Sequence, residues 1–302
     1  MSAPPRLVAI AIVANLIGGT SYVLTKIALE GLTETTLIVV RTVVALAVLV
    51  PIAGRRLWPL LRAAGGDRRR LLAMGALGYA LPLVLGSYGV RRSTATNAAL
   101  LIGTEPLAVV VLGALLLGEP LTRARIVALA LGVSGATILV TNGIPLLTVA
   151  YAPHLTGDLL LVIHGAAWAI YTIAGKSLLE RYDPIAVATA SLAVALPLLA
   201  PLAAFELPGI VWEWPRLAPA LAAAVTLGLV VSALMTVLWT TALRGMDASY
   251  LAGFIFLQPL AGVALGALIL GERVTPFVLA GGGLVLAAVY VLILESRARG
   301  AS

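Results

Sequence analysis

Ten long apolar runs dominate the sequence and restrict the folds that it can adopt. Each run has about the 20 residues that an α-helix needs to cross a bilayer, roughly twice the length of a strand in a membrane barrel. In hydrocarbon, a helix satisfies its own backbone N–H and C=O groups. The sequence therefore predicts an all-α integral membrane protein with ten transmembrane helices, at 7–29, 35–54, 71–90, 94–117, 123–141, 157–179, 184–205, 217–243, 248–270 and 275–294.

Composition and charge support this interpretation. The 302 residues are 61% hydrophobic and 11% charged, whereas an ordinary soluble domain has about 25% charged residues. The net charge of +7 does not indicate nucleic-acid binding, because the arginines lie between the apolar runs, most densely from Arg55 to Arg70. One membrane face carries 14 Lys and Arg residues and the other carries 4. The richer face is expected to be cytoplasmic, with both termini on that side.

One motif occurs twice. The first copy begins at Glu105-Pro106-Leu107 and ends at Gly118-Glu119, and the second begins at Gln258-Pro259-Leu260 and ends at Gly271-Glu272, an offset of 153. Spans 1–5 thus match spans 6–10, which predicts two repeats at residues 1–145 and 146–302. Because five is odd, the second repeat enters the membrane from the opposite side. Inverted repeats are typical of secondary transporters, which bind substrate between the halves near the bilayer midplane.

These motifs resemble the EamA-type repeats of the drug/metabolite transporter superfamily, over nearly the whole chain. Within it, the chain is most similar to the YddG-type bacterial exporters of aromatic and other amino acids. The resemblance implies a ten-helix protein with a central cavity in the bacterial inner membrane. It also implies export from the cytoplasm without ATP.

Polar and aromatic residues share one face of span 1 and recur in span 6. Asn15, Gly19, Tyr22 and Lys26 follow a helical spacing, and His164, Trp168 and Tyr171 repeat it. The functional hypothesis is a cavity wall, and the alternative is helix–helix hydrogen bonding and packing. The other candidates for the cavity are Tyr79, Asn97, Glu105, Trp239, Tyr250, Phe254 and Gln258.

Charges inside spans are few. Glu105 is the deepest acid, and Lys26 and Arg41 are the only cations well inside a span. Together they could hold both ends of a zwitterion, or Glu105 could lie near the membrane surface or pair with one of the cations. Proton coupling could use Glu105 or His164, and a facilitator without coupling is the alternative.

Prolines and glycines suggest structural roles. Pro82, Pro106 and Pro259 are hinge candidates, because a proline inside a helix removes a backbone hydrogen bond. Glu119 and Glu272 occupy the same place in each repeat, which favours a structural role at the turn. Glycines in spans 5 and 10 allow close helix packing, either within one chain or in a dimer. We favour internal packing and a monomer.

The sequence thus predicts a secondary transporter that exports small amphipathic metabolites, foremost amino acids, by alternating access. Drug-like cations, purines or nucleotide sugars are alternative cargoes, although a nucleotide sugar would require more cations facing the cavity. An enzyme is not expected, because the two histidines and the acids at span ends form no catalytic or metal-ligating pattern. A scaffold protein without cargo is a further alternative. No cofactor, metal or nucleic acid is expected.

Overall fold

The structure is a computed structural model that describes residues 5–62, 65–117, 121–141, 154–245, 254 and 257–300. These residues form ten helical segments, one for each predicted span, and none of them lies in a strand. The segments are α1 (Pro5–Ala28), α2 (Glu34–Leu61), α3 (Gly66–Arg92), α4 (95–117), α5 (Arg123–Thr141), α6 (Leu155–Leu179), α7 (Pro184–Gly209), α8 (214–245), α9 (Leu257–Leu270) and α10 (Pro276–Gly300).

The length and composition of these helices fit a membrane. Within the described residues, six helices, α1, α2, α3, α5, α7 and α8, are long and apolar enough to cross a bilayer. Shorter apolar helices occupy α4, α6, α9 and α10. Large apolar side chains on the outside are exposed, as at Phe205 (89%) and Leu268 (83%), which is expected where lipid replaces water. This confirms the predicted all-α multi-span fold.

Two helices contain a π-helical turn at equivalent places. In α3 the turn covers Ala76–Ala80, and in α8 it covers Leu227–Met235. When the offset of 153 is added to the first range, the result lies within the second range. π-turns are rare and are often found at functional sites. A shorter irregularity in α4 is the 3-10 turn Ile102–Thr104.

Side-chain oxygens satisfy the first backbone N–H groups of several helices. The Asp183 carboxylate accepts bonds from the backbone N–H groups of Ile185 (3.0 Å) and Ala186 (3.3 Å) at the start of α7. Glu272, which follows α9, accepts bonds from Ala95 N–H (2.7 Å) and Thr96 N–H (2.8 Å) at the start of α4. This agrees with the structural role predicted for Glu272, while Glu119 lies outside the described residues.

Helices from opposite halves pack against each other in matching pairs. α2 packs against α7 and α5 against α10, whereas α1 contacts α8 and α9, and α6 contacts α3 and α4. Glycines bring the backbones together at these crossings. A Cβ atom at Gly135 in α5 would lie 2.6 Å from the Gly281 carbonyl oxygen in α10. The glycines of spans 5 and 10 therefore serve internal packing at this point.

Candidate functional site

An aromatic group lies where α3 meets α6. The Trp168 ring is at its centre, in edge-on contact with Tyr79 (6.0 Å between centroids), His164 (6.2 Å) and Tyr171 (5.4 Å). Three of these four residues come from the α6 face that the sequence singles out. We call this set the aromatic cluster. Its ring faces suit an apolar or aromatic side chain, or a cation.

Glycines in α3 allow α6 to approach closely enough to form the cluster. A Cβ atom at Gly78 would lie 2.7 Å from the Tyr171 Cα atom, and one at Gly86 would lie 2.8 Å from His164 Nδ1. His164 Nδ1 is 2.6 Å from the Pro82 carbonyl oxygen. Because a carbonyl oxygen only accepts hydrogen bonds, Nδ1 carries the proton and donates a hydrogen bond to this oxygen. The ring of His164 is thereby fixed beside Trp168.

A buried arginine adjoins the aromatic cluster. Arg41 in α2 is only 9% exposed, and its Nε and Nη2 atoms donate to Ser232 Oγ in α8 at 3.2 and 3.0 Å. Ile38, which lies on the same face of α2 as Arg41, packs in one group with Tyr79 and Trp168. Arg41 forms no ion pair with any residue that the structure describes. A charged side chain in the middle of a membrane helix costs about 2.5–3.5 kcal/mol, so such residues usually serve a function.

The backbone of one acid, Glu105, approaches α6 next to His164 of the aromatic cluster. A Cβ atom at Gly165, next to His164, would be 3.2 Å from the Glu105 backbone nitrogen. Tyr22 of α1 is buried, and the Glu105 side chain is half-buried. It forms no ion pair with Lys26 or Arg41, the two partners that the sequence suggested, among the described residues.

Asn15, Gly19 and Gln258 join α1 to α9. Gln258 Nε2 donates to Asn15 Oδ1 at 2.9 Å, and Asn15 Nδ2 donates to the Ala11 carbonyl oxygen at 2.9 Å. A Cβ atom at Gly19 would lie 2.6 Å from the Gln258 carbonyl oxygen. These three residues therefore take part in helix–helix bonding.

Lys26 and Asn97 lie at one end of the bundle. Lys26 Nζ donates to the carbonyl oxygens of Val90 (2.9 Å) and Ser93, where α3 ends. Asn97 Nδ2 donates to the Asp158 carboxylate at 3.1 and 3.2 Å, and Ser93 Oγ donates to the same group. The structure thus separates these two candidates from the aromatic cluster.

The remaining candidates are dispersed. Trp239 and Phe254 pack on an apolar cluster around Ala11 and Ala242. Tyr250 lies outside the described residues. Of the hinge candidates, Pro82 follows the π-turn of α3, Pro106 is the second residue of helix Glu105–Leu117, and Pro259 is buried in α9.

Two members of the site were not among the sequence candidates. Arg41 was considered only with Lys26 and Glu105, as a set that could hold a zwitterion, and Ser232 was missed because one serine in an apolar run carries no pattern. Ser232 is the repeat equivalent of Tyr79, at an offset of 153. A comparison of the two halves could therefore have found it. Within the described residues, no three His, Asp or Glu side chains are grouped so that they could hold a metal ion.

Comparison with known proteins identifies the chain. Residues 6–141 and 155–294 each match the EamA-like transporter family. The chain belongs to the EamA-like transporter family. The two EamA segments together contain the aromatic cluster, Arg41, Ser232 and Glu105.

Several relatives of this EamA-like chain are transporters by name. An uncharacterized transporter of Archaeoglobus fulgidus is 27% identical over 77% of this chain and 78% of that protein. A probable terminal-alkyne amino-acid exporter of Streptantibioticus cattleyicolor is 30% identical over 75% of this chain and 73% of the relative. The threonine/homoserine exporter RhtA of Escherichia coli K12 is 30% identical over 44% of each chain.

A solved crystal structure shares the fold. Its TM-score is 0.66 and its sequence identity is 17%, and the match covers 98% of this chain and 99% of that chain. At this identity, the likeness shows the arrangement of the helices and nothing of the cargo.

Proposed function

We propose that this EamA-like transporter exports small amphipathic metabolites, foremost neutral amino acids including aromatic ones, from the cytoplasm without ATP. The observation that carries this proposal is the composition of the site between the halves. Beside the aromatic cluster lie a buried guanidinium, that of Arg41, and an acidic residue, Glu105, whose backbone approaches α6 at Gly165. An amino acid with an apolar side chain offers a complementary set of groups.

The proposed mechanism is alternating access between two inverted repeats, residues 1–145 and 146–302. Equivalent glycines at the crossing of the halves support it. A Cβ atom at Gly75 in α3 would lie 2.9 Å from the Ser191 carbonyl oxygen, and one at Gly228 in α8 would lie 2.8 Å from the Arg41 carbonyl oxygen. Gly75 and Gly228 differ by 153 residues, and Arg41 and Ser191 by 150, so exchanging the halves maps one contact onto the other. Such pseudo-symmetry lets one chain adopt two related states.

The names of relatives give independent support. One relative is a probable exporter of terminal-alkyne amino acids, and another exports threonine and homoserine. These cargoes share the α-amino acid backbone and differ in side chain. We therefore place the backbone of the cargo at the charged groups and its side chain at the aromatic cluster. We also propose a monomer in the bacterial inner membrane with both termini in the cytoplasm.

The test is flux of labelled amino acids into liposomes that contain only the purified protein. Phenylalanine, threonine and methionine are compared with a quaternary amine and a sugar phosphate, with and without a pH gradient. Amino-acid flux supports the proposal. Flux without the gradient identifies a facilitator, and a requirement for the gradient directs attention to Glu105 and His164. Movement of the amine without any amino acid would refute the cargo class.

The Trp168→Ala variant tests the role of the aromatic cluster. Each aromatic contact is worth about 0.5–1.5 kcal/mol, so we expect phenylalanine flux to fall about three- to tenfold relative to threonine flux. Trp58→Ala is the matched control, because the Trp58 side chain is 57% exposed at the end of α2. Equal effects of the two variants on the phenylalanine-to-threonine ratio would contradict a role of the cluster in binding the side chain.

A further inference from the structure

Within the part of the chain that the structure describes, Arg41 has spare hydrogen-bond donors and no acid that balances its charge. A guanidinium carries five N–H donors and is always protonated in proteins. Two of these donors, on Nε and Nη2, reach a single neutral oxygen, Ser232 Oγ. A hydroxyl group accepts hydrogen bonds without neutralising charge. Among the residues that the structure describes, the acids that form ion pairs all pair with other arginines.

The location of Arg41 points to a ligand rather than to a structural ion pair. Its side chain is 91% buried, so lipid headgroups and bulk water do not solvate it. Ile38 and Ala45, which share its face of α2, pack in one group with Tyr79 and Trp168 of the aromatic cluster. α2 and α8 meet here by backbone contact at Gly228, which a shorter residue in place of Arg41 would leave intact. The long charged side chain is therefore not needed to join these helices.

On this basis we infer that Arg41 binds the carboxylate of the cargo beside the aromatic cluster. The inference rests on the proposed function, because it assigns one end of the amino acid to one residue. A carboxylate suits this site better than a phosphate group. One guanidinium balances one negative charge, whereas a phosphate group carries nearly two and is commonly bound by several cations. Lys26, the other cation within a span, is bonded to backbone carbonyls at the end of α3.

The test compares acids with their amides in the same liposomes. Phenylalanine, threonine and methionine are each measured against the corresponding amino-acid amide, which keeps the ammonium group and side chain but has no carboxylate. 3-Phenylpropionate, which has no ammonium group, and phenyl phosphate complete the set. We expect the wild-type protein to prefer acid over amide at least tenfold. We expect Arg41→Gln to remove this preference by losing acid flux.

The Ser232→Ala variant tests whether the charge of Arg41, and not its hydrogen bonds to the protein, sets the preference for acids. It removes both hydrogen bonds that Arg41 donates to the protein but keeps the positive charge. We expect it to keep the preference for acids within about threefold, as a charge-based contact requires. Arg41→Lys should keep part of the preference, because it retains the charge without the planar guanidinium. A purely structural role of Arg41 would instead lower the flux of acids and amides alike. Detergent-solubilised size-exclusion profiles establish that each variant is folded.

The outcomes separate this inference from the proposed function. If wild-type protein transports amino acids and their amides equally well, or if Arg41→Gln keeps the acid preference, the assignment of Arg41 is wrong and amino-acid export stands. If only 3-phenylpropionate moves, and Arg41→Gln abolishes its flux, Arg41 is confirmed as a carboxylate site and the amino-acid cargo is refuted. Preferential flux of phenyl phosphate overturns both assignments. Should Arg41→Gln fail to fold, the wild-type acid-to-amide ratio and Arg41→Lys decide the matter.

Discussion

Asn15 and His164 occupy equivalent positions on α1 and α6 but have different partners. Asn15 accepts a hydrogen bond from Gln258 of α9, whereas His164 donates to the backbone of α3 at Pro82. Glu105, the equivalent of Gln258, lies beside Gly165, and its carboxyl group makes no hydrogen bond to a described residue. The matching faces of α1 and α6 therefore have different roles. The face of α1 bonds to α9, whereas the face of α6 carries the aromatic cluster and lies next to Glu105.

The Asn15–Gln258 bond is predicted to stabilise the fold. Both side chains are buried, at 0% and 8% exposure. Removing either one leaves a buried polar group without its partner. A double-mutant cycle with Asn15→Ala and Gln258→Ala, followed by thermal unfolding in detergent, should give a coupling free energy of about 0.6–2 kcal/mol.

Thr137→Ala is the control for this cycle, because Thr137 is exposed and bonds only within its own helix, to the Val133 carbonyl oxygen. The effects of Thr137→Ala and Gln258→Ala on the free energy of unfolding should be additive. Additive effects of Asn15→Ala and Gln258→Ala would show that the bond contributes nothing to stability.

At the scale of helices, close backbone contact is the main feature of the crossings between halves. In a membrane, burial of apolar surface does not drive helices together, so small residues and tight packing take over. Gly75 and Gly228 place α3 against α7 and α8 against α2. Gly75 directly precedes the π-turn of α3, and Gly228 lies within the π-turn of α8. The two crossings therefore lie at matching positions of the two EamA segments.

Gly75→Ala and Gly228→Ala are predicted to destabilise the protein to a similar extent. The added Cβ atom would lie 2.5 Å from Val194 Cγ1 at the first position and 2.7 Å from Val44 Cβ at the second. Overpacking of this kind costs about 1–3 kcal/mol, which should lower the thermal unfolding midpoint of each variant in detergent.

Gly283→Ala serves as the control, because no atom lies within 4 Å of its added Cβ. It should leave the unfolding midpoint unchanged or raise it slightly, since alanine favours a helix by about 1 kcal/mol over glycine. Unfolding midpoints that are equal in all three variants would contradict tight packing at Gly75 and Gly228.

At the scale of the whole molecule, polar contacts fasten the two halves together at both ends. At one end, the Glu206 carboxylate accepts bonds from Thr35 N–H (3.0 Å) and the Tyr88 hydroxyl. At the other end, the Asp67 carboxylate accepts bonds from Arg181 (3.2 Å) and Tyr182 (3.1 Å). Alternating access would require one of these sets to separate while the other holds. The count of Lys and Arg residues predicts that the Asp67 end faces the cytoplasm.

The orientation can be tested with single cysteines, because the chain contains none of its own. Arg216→Cys lies at the Glu206 end and Arg123→Cys on the face predicted to be cytoplasmic, and both positions are exposed. In spheroplasts, a membrane-impermeant maleimide should label Arg216→Cys at once and Arg123→Cys only after permeabilisation. The wild-type protein gives the background. The reverse labelling pattern would place both termini outside the cytoplasm.

Much of the fold could be predicted from the sequence, because the physical rules behind it are local. A run of about 20 apolar residues in a bilayer can satisfy its backbone only as a helix. The ten segments therefore appear where the apolar runs predict them. The Glu-Pro-Leu and Gly-Glu motifs likewise led to the family that the whole chain matches. The π-turns could not be predicted, because they depend on contacts made by α3 and α8 with other helices.

The site was only partly accessible from the sequence. Helical spacing correctly grouped His164, Trp168 and Tyr171 on one face, since residues three and four apart are neighbours on a helix. Spacing cannot say which other helix lies opposite that face. The way the helices cross brings Tyr79 into the aromatic cluster and Arg41 to Ser232. It also brings Lys26 to the end of α3, where it bonds to backbone carbonyls. Polar residues in a lipid environment acquire their partners from packing, and packing joins residues up to 243 positions apart in this chain.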